Sequence, residues 1–149
     1  MNYEVNKCTY AIVPIDYNKS KVYENDDEYV ISSNPYAIME HSCEYFGSSL
    51  EGRICGSKKI LGTIYKSPLL VEEYNNLVFF PTKCISLKEE NAWVSLNNIA
   101  SYEEAVDKKT VVYFKNGKKI VLDIPYLSFE NQLLRAARLE SVLRQRHFS

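Results

Sequence analysis

Histidine is almost absent from this 149-residue chain, which has only His41 and His147. A metal site needs clustered ligands, and His41 with Cys43 two residues on is too sparse a set to hold an ion. None of the four cysteines, Cys8, Cys43, Cys55 and Cys84, falls in a C-x-x-C pair. The reading is four free thiols in a reducing compartment, behaving as small apolar residues rather than bridges or ligands. A cysteine–histidine nucleophile would also lack a third group to orient it. No catalytic residue, metal or cofactor is therefore expected. The phosphate-cradling signatures G-x-G-x-x-G and G-x-x-x-x-G-K-[ST] are missing as well.

Long apolar runs are lacking too. The longest, such as "LVFFP", are far too short to span a bilayer. The opening "MNYEVNKCTY" has neither the basic start nor the apolar stretch of a secretory signal. Repeats, low-complexity stretches and linkers do not occur. The expectation is one cytoplasmic domain over residues 1–149 with no membrane partner, a length that buries roughly 70% of the unfolded surface.

Net charge is only −1, which alone argues against a nucleic-acid binder. Its distribution argues the other way. Residues 1–51 carry three lysines against nine acids, and residues 52–149 carry fifteen basic residues against ten acids. Such a sequence dipole hints at an anionic partner for the second part.

Strand signals dominate the chain. "YEVNKCTYAIVPI" and "DEYVISS" are rich in Val, Ile, Tyr and Thr, with the acidic turn "ENDDE" between them. "KKILGTIY", "PLLVEEY", "LVFFPT" and "AWVSLNNI" read as further short strands, and no long helical pattern precedes residue 128. In "TVVYFKNGKKIVLDIP", Asn116-Gly117 suits a two-residue type I′ hairpin loop. That register puts Val111 and Tyr113 on one apolar face with Ile120, Leu122 and Ile124, and Val112, Phe114, Lys119 and Asp123 on the other.

After Pro125, Ser128 is placed to cap a helix running to about Arg146. Phe129, Leu133, Ala136, Ala137, Leu139 and Leu143 share one arc and should pack on the sheet. Asn131, Arg135, Arg138, Val142 and Arg146 form a stripe on the far side, read either as a solvated face or as a surface for nucleic acid or another partner. The fold class is α+β: a mostly antiparallel sheet in a single domain, with a C-terminal α-helix packed on it.

One stretch stands apart, "SCEYFGSSLEGRICG". Ser48 and Glu51 have capping-box spacing, so Gly47 to Gly52 can form a single helical turn, with Gly52 left-handed at its exit. From Gly52 to Val71 there is no acid, only Arg53, Lys58, Lys59 and Lys66. The turn could receive a phosphate, or it could be a plain glycine-hinged corner.

"SCEYFGSSLEGR", "KSPLLV", "FFPT", "WVSLNNI" and "YFKNGKKIVLDIPYLSFENQLLRAARL" are similar, in order and spacing, to the competence transcription factor (ComK) family, from about Tyr3 to Leu143. The resemblance implies a DNA-binding transcriptional activator of DNA-uptake genes. Such an activator recognises paired A- and T-rich boxes of double-stranded DNA through the minor groove and works as a homo-oligomer. A narrow, strongly negative A-tract groove suits a nearly neutral protein with a few well-placed arginines. The blocks F-G-S-S-x-x-G-R and S-F-E-N-Q-x-x-R carry over Arg53 and Arg135; with Lys58, Lys59, Lys66, Asn131 and Arg138 these make the candidate DNA-binding set. Family members continue into a tail tied to oligomer formation and to a MecA-type adaptor that delivers them to a Clp protease, whereas this sequence ends at His147-Phe148-Ser149. The rival reading is a protein-interaction module of pleckstrin-homology-like layout, resting on analogy of layout alone.

Overall fold

The computed structural model describes residues 2–62, 65–83 and 85–148. The chain opens with three strands in a meander: β1 (Thr9–Asp16), β2 (Lys19–Glu24) and β3 (Glu28–Ile31). Two helices follow, α1 (Pro35–Tyr45) and α2 (Leu50–Leu61). Then come β4 (Leu69–Glu72), β5 (Leu77–Pro81) and β6 (Trp93–Ser95). Three more strands, β7 (Ile99–Glu104), β8 (Thr110–Phe114) and β9 (Lys119–Leu122), precede the long terminal helix α3 (Tyr126–Phe148).

The first six strands form one antiparallel sheet in the order β3-β2-β1-β6-β5-β4, and the last three form a second, β7-β8-β9. Both faces of the large sheet are covered. On one, Ile12, Val22, Leu69, Phe79 and Trp93 pack on Ile38, Met39 and Cys43 of α1. On the other, Leu70, Val78, Phe80 and Val94 pack on the small sheet and on Phe129, Ala136 and Leu139 of α3. Burial on both faces explains why "LVFFP" is apolar throughout instead of alternating. It also gives the large sheet two cores rather than one wet face.

The α+β class with its C-terminal helix on the sheet is as expected, but the two central helices are a correction. Asn34 caps α1, its Oδ1 accepting from the Ala37 N–H at 2.8 Å, and Pro35 occupies the first helical position. Ser49, not Ser48, caps α2, its Oγ accepting from the Gly52 N–H at 3.0 Å. The helix then runs through Gly52 and stops at Gly62, whose φ of 89° is a value L residues avoid. Lys58 to Leu61 of "KKILGTIY" are thus the last turn of a helix rather than a strand, while Thr63 and Ile64 lie outside the described residues.

The β8–β9 hairpin is present with a different loop. Phe114 N–H donates to the Lys118 carbonyl at 2.8 Å, and Gly117 N–H to the Phe114 carbonyl at 2.9 Å. Gly117 has φ +89°, whereas Asn116 stays at negative φ. This is a three-residue loop, Lys115 to Gly117, with glycine at the left-handed position. Val112 consequently pairs with Ile120, and Thr110 with Leu122. The one-residue change reverses the faces of β8: Val112 and Phe114 are buried, and Val111 and Tyr113 turn outward.

Helix α3 begins earlier than expected. The Phe129 N–H bonds the Pro125 carbonyl at 2.9 Å, so Ser128 lies inside the first turn instead of capping it. The core arc is as expected: Phe129, Ala136 and Leu139 are buried, and Leu133 and Leu143 pack at its margin. Among the cysteines, Cys43 is buried and Cys8 half-buried, but Cys55 is exposed on α2, contrary to a small-hydrophobe role there. Cys84 lies outside the described residues. No described helix is long and apolar enough to cross a membrane.

Candidate nucleic-acid interface

Helices α2 and α3 lie side by side at the β4 end of the large sheet. Gly52, Arg53, Gly56, Ser57 and Ile60 of α2 line a groove together with Leu70, Leu139 and Leu143. Beyond the C-terminus of α2, Lys66 meets α3 near its start, its carbonyl accepting from Gln132 Nε2 at 2.7 Å. The two helices are therefore antiparallel.

Gln132 is 1% exposed, and it fixes this arrangement. Its Nε2 also donates to the Pro81 carbonyl at 3.2 Å, and its Oε1 accepts from Arg135 Nη1 at 2.7 Å. A buried amide is satisfied on both its donor and acceptor sides, as burial demands. The bond holds the Arg135 guanidinium against the helix. Sequence reasoning missed Gln132, although the i, i+3 spacing of Gln132 and Arg135 in "ENQLLR" is the signal that could have found it.

The rest of the α3 stripe is on the same side. Asn131, Arg138 and Arg146 are exposed, and Arg135 and Val142 are half-buried. The acids of α3 are turned away and engaged: Glu130 accepts from Tyr102 Oη at 3.0 Å, and Glu140 accepts from Asn76 Nδ2 at 3.0 Å and pairs with Arg144 at 3.0 Å. Burial, followed by the bond to Glu130, pushes the Tyr102 phenol up to about 12, so it remains a neutral donor. On α2, Lys58 and Lys59 are exposed, and in the loop beyond it Lys66 is half-buried with Tyr65 78% exposed beside it. Of the seven candidates, Lys58, Lys59, Asn131 and Arg138 are exposed, and Lys66, Arg135 and Arg53 are half-buried.

Arg53 differs from expectation. It does not leave a rigid corner into solvent, because α2 continues past it and its side chain is only 20% exposed. Both terminal nitrogens donate to Glu73 Oε1 at 3.3 Å, tying α2 to the β4–β5 turn. Its Nε is buried without an acceptor. Nor does Gly52 adopt a left-handed conformation; a Cβ there would sit 2.9 Å from the capping Ser49 Oγ.

The acidic turn at Glu24, Asp26, Asp27 and Glu28 belongs to the β3 edge, and α2 covers the opposite β4 edge. Five strand spacings separate these edges, roughly 24 Å. Part of the acidic edge is occupied by the β8–β9 loop, where Asn116 Nδ2 donates to the Asn25 carbonyl at 2.6 Å and Lys118 Nζ to the Glu24 carbonyl at 3.1 Å.

Among the described residues no group of three or more His, Cys, Asp or Glu side chains is placed to hold a metal ion. The face can offer cations, an amide and an aromatic ring to an extended polyanion, and nominates no nucleophile with a base and an orienting group.

Three comparisons relate the chain to known proteins. The family model described as ComK protein matches residues 1–147. The chain is 34% identical over 148 residues to the competence transcription factor of Bacillus subtilis (strain 168), an alignment covering 97% of this chain and 77% of that relative. No solved structure matches it.

Proposed function

The chain belongs to the ComK family, and from that premise we propose that it is a transcriptional activator of competence genes that binds A- and T-rich double-stranded DNA with its α2–α3 face. The observation that carries the reading is the set of accessible cations on two adjacent helices, Lys58 and Lys59 on α2 and Arg135, Arg138 and Arg146 on α3, with Lys66 in the loop beyond α2, while Glu130 and Glu140 of α3 are engaged by Tyr102 and Asn76. A near-neutral protein can bind a polyanion when its cations are gathered on one face and its acids on another. Lysines at helix and loop positions position a phosphate backbone, and an arginine held by a neighbouring amide can enter a narrow minor groove with less loss of side-chain freedom.

The reading extends over residues 1–149 as a single DNA-binding domain, cytoplasmic, working as a homo-oligomer and subject to a MecA-type adaptor and Clp protease. Family membership supports these features. A mobility shift tests it: an A-box/T-box duplex should be retained well below the concentration needed for a scrambled G·C-rich duplex of equal length. Equal, weak retention of both would reject sequence-selective binding.

A further inference from the structure

Five tyrosines are exposed among the described residues: Tyr17, Tyr29, Tyr45, Tyr65 and Tyr74. Four of them directly follow an acid, Asp16, Glu28, Glu44 and Glu73 in turn. Tyr65 is the exception. Lys66 follows it, and it lies inside the acid-free run from Gly52 to Val71. Carboxylates beside an aromatic ring repel a polyanion, whereas a neighbouring cation draws one to the ring. Among the described residues the Tyr65 ring, 78% exposed, makes no hydrogen bond, ring contact or cation–π contact. The fold gives it no internal task.

The ring is free, but its backbone is fixed. The Tyr65 carbonyl accepts from the Ile85 N–H at 3.0 Å, and the Lys66 carbonyl accepts from Gln132 Nε2 at 2.7 Å. Ser67 and Pro68, next along the chain, are buried. A tyrosine on an anchored bend loses little freedom on binding, since only its two side-chain torsions remain to be ordered. The same Gln132 holds Arg135 through its Oε1 at 2.7 Å, which ties Tyr65 to the candidate interface by one chain of bonds. Neither Lys66 nor Arg135 pairs with an acid among the described residues. Their charges are available to phosphates. The apolar body of a tyrosine gains nothing on a phosphate, and the surface of a duplex that suits it is the face of a base. Minor-groove proteins reach such faces by wedging apolar side chains between base steps, and pyrimidine–purine steps such as TpA open most easily.

We propose that Tyr65 is a specificity-determining residue of the DNA contact: its ring stacks on a base at a partly opened TpA step, while Lys66 engages the adjoining phosphates. This rests on the function proposed above.

The test uses the full chain and two A/T-box duplexes of equal composition, one with TpA steps and one in which they are rearranged to ApA. In the first, 2-aminopurine replaces the adenine of each TpA step in turn, because its fluorescence rises when it unstacks. The parent should prefer the TpA duplex and raise the fluorescence at one position or more. Tyr65→Ala should melt within about 1–2 °C of the parent, as an exposed residue does. It should bind the TpA duplex roughly fivefold or more weakly, lose the preference over ApA, and leave 2-aminopurine dark even at saturation. Tyr65→Phe, which keeps the ring, should retain all three properties. A folded Tyr65→Ala that binds and unstacks the TpA duplex as the parent does overturns the proposal while the DNA-binding function stands. Tyr65→Phe behaving like Tyr65→Ala would also overturn it, by assigning the contact to the phenol hydroxyl on a phosphate. Failure of the parent to bind any duplex would reject the function itself, and the proposal with it.

Discussion

Gln132 and Lys66, far apart in sequence, are joined by a 2.7 Å hydrogen bond from the Gln132 side-chain amide to the Lys66 backbone carbonyl. The same amide reaches the Pro81 carbonyl, and its oxygen holds Arg135. Gln132→Leu keeps the bulk but orphans these carbonyls in a buried site. It should cost roughly 1–3 kcal/mol in urea unfolding and weaken duplex binding by freeing Arg135 and the loop. A loss below about 0.5 kcal/mol would mean that the amide is not the clasp between α3 and the α2–β4 loop.

The hairpin register predicts unequal costs for two adjacent valines. Val112 is fully buried opposite Ile120, whereas Val111 faces outward. Val112→Ala should destabilise by about 2 kcal/mol or more through lost burial and a residual cavity, and Val111→Ala by less than about 1 kcal/mol. Reversed costs would restore the two-residue loop.

That pair also shows what was legible. Asn116-Gly117 announces a turn, and the apolar alternation on each side announces two strands. Whether the loop holds two or three residues depends on φ at Asn116, which tertiary contact helps to fix: its side chain bonds the Asn25 carbonyl across the molecule. Helix α2 was hidden for another reason. Gly52 and Gly56 lower its propensity, and its apolar residues Leu50, Ile54 and Ile60 are divided between two cores, so no single stripe stands out. The start of α1 was signalled by Asn34-Pro35, a cap followed by a first-turn proline, but the signal was not read. For the interface, the cations could be read from the acid-free run and the α3 stripe, but Arg53 could not be placed. Its partner Glu73 lies in a turn whose position depends on how α2 covers β4.

The thiols should separate by chemistry. Burial pushes Cys43 up to about 11 from an ordinary 9.0, whereas Cys55 is exposed on α2. A disulfide reagent at pH 8 should therefore label Cys55 quickly, a phase removed by Cys55→Ser, and label Cys43 only on unfolding. The folded state keeps the Cys43 proton where the unfolded chain has lost it. Stability should thus be intact below pH 9 and fall between pH 9 and 11 by about 2 kcal/mol from this group. Cys43→Ala, though less stable throughout, should lack that component of the decline. Rapid labelling of Cys43 in the native state would contradict its place on the buried face of α1.

Arg53 and the pair Lys58 and Lys59 sit on one helix and should fail in opposite ways. Arg53 is mostly covered and bridges α2 to Glu73, which is 61% exposed, so the pair itself is worth little in solvent-screened geometry. The arginine's packed stem adds more, and Arg53→Ala should lower stability by roughly 1 kcal/mol. Duplex affinity under fully folded conditions should then change little. Lys58 and Lys59 are exposed. Lys58→Ala/Lys59→Ala should leave the melting temperature within about 1–2 °C of the parent and weaken binding to every duplex alike, since lysines on phosphates carry no sequence information. Each phosphate that a lysine no longer neutralises should reduce the log–log salt slope by about 0.9, so the double variant's slope falls by up to about 1.8. Arg135→Lys provides the contrast: lysine keeps the charge but not the fork that Gln132 holds, so A/T preference should narrow while the salt slope stays. A double lysine variant with an unchanged salt slope would move the DNA off α2. An Arg53→Ala protein that melts normally but loses A/T-box binding would put Arg53 back at the groove of the DNA.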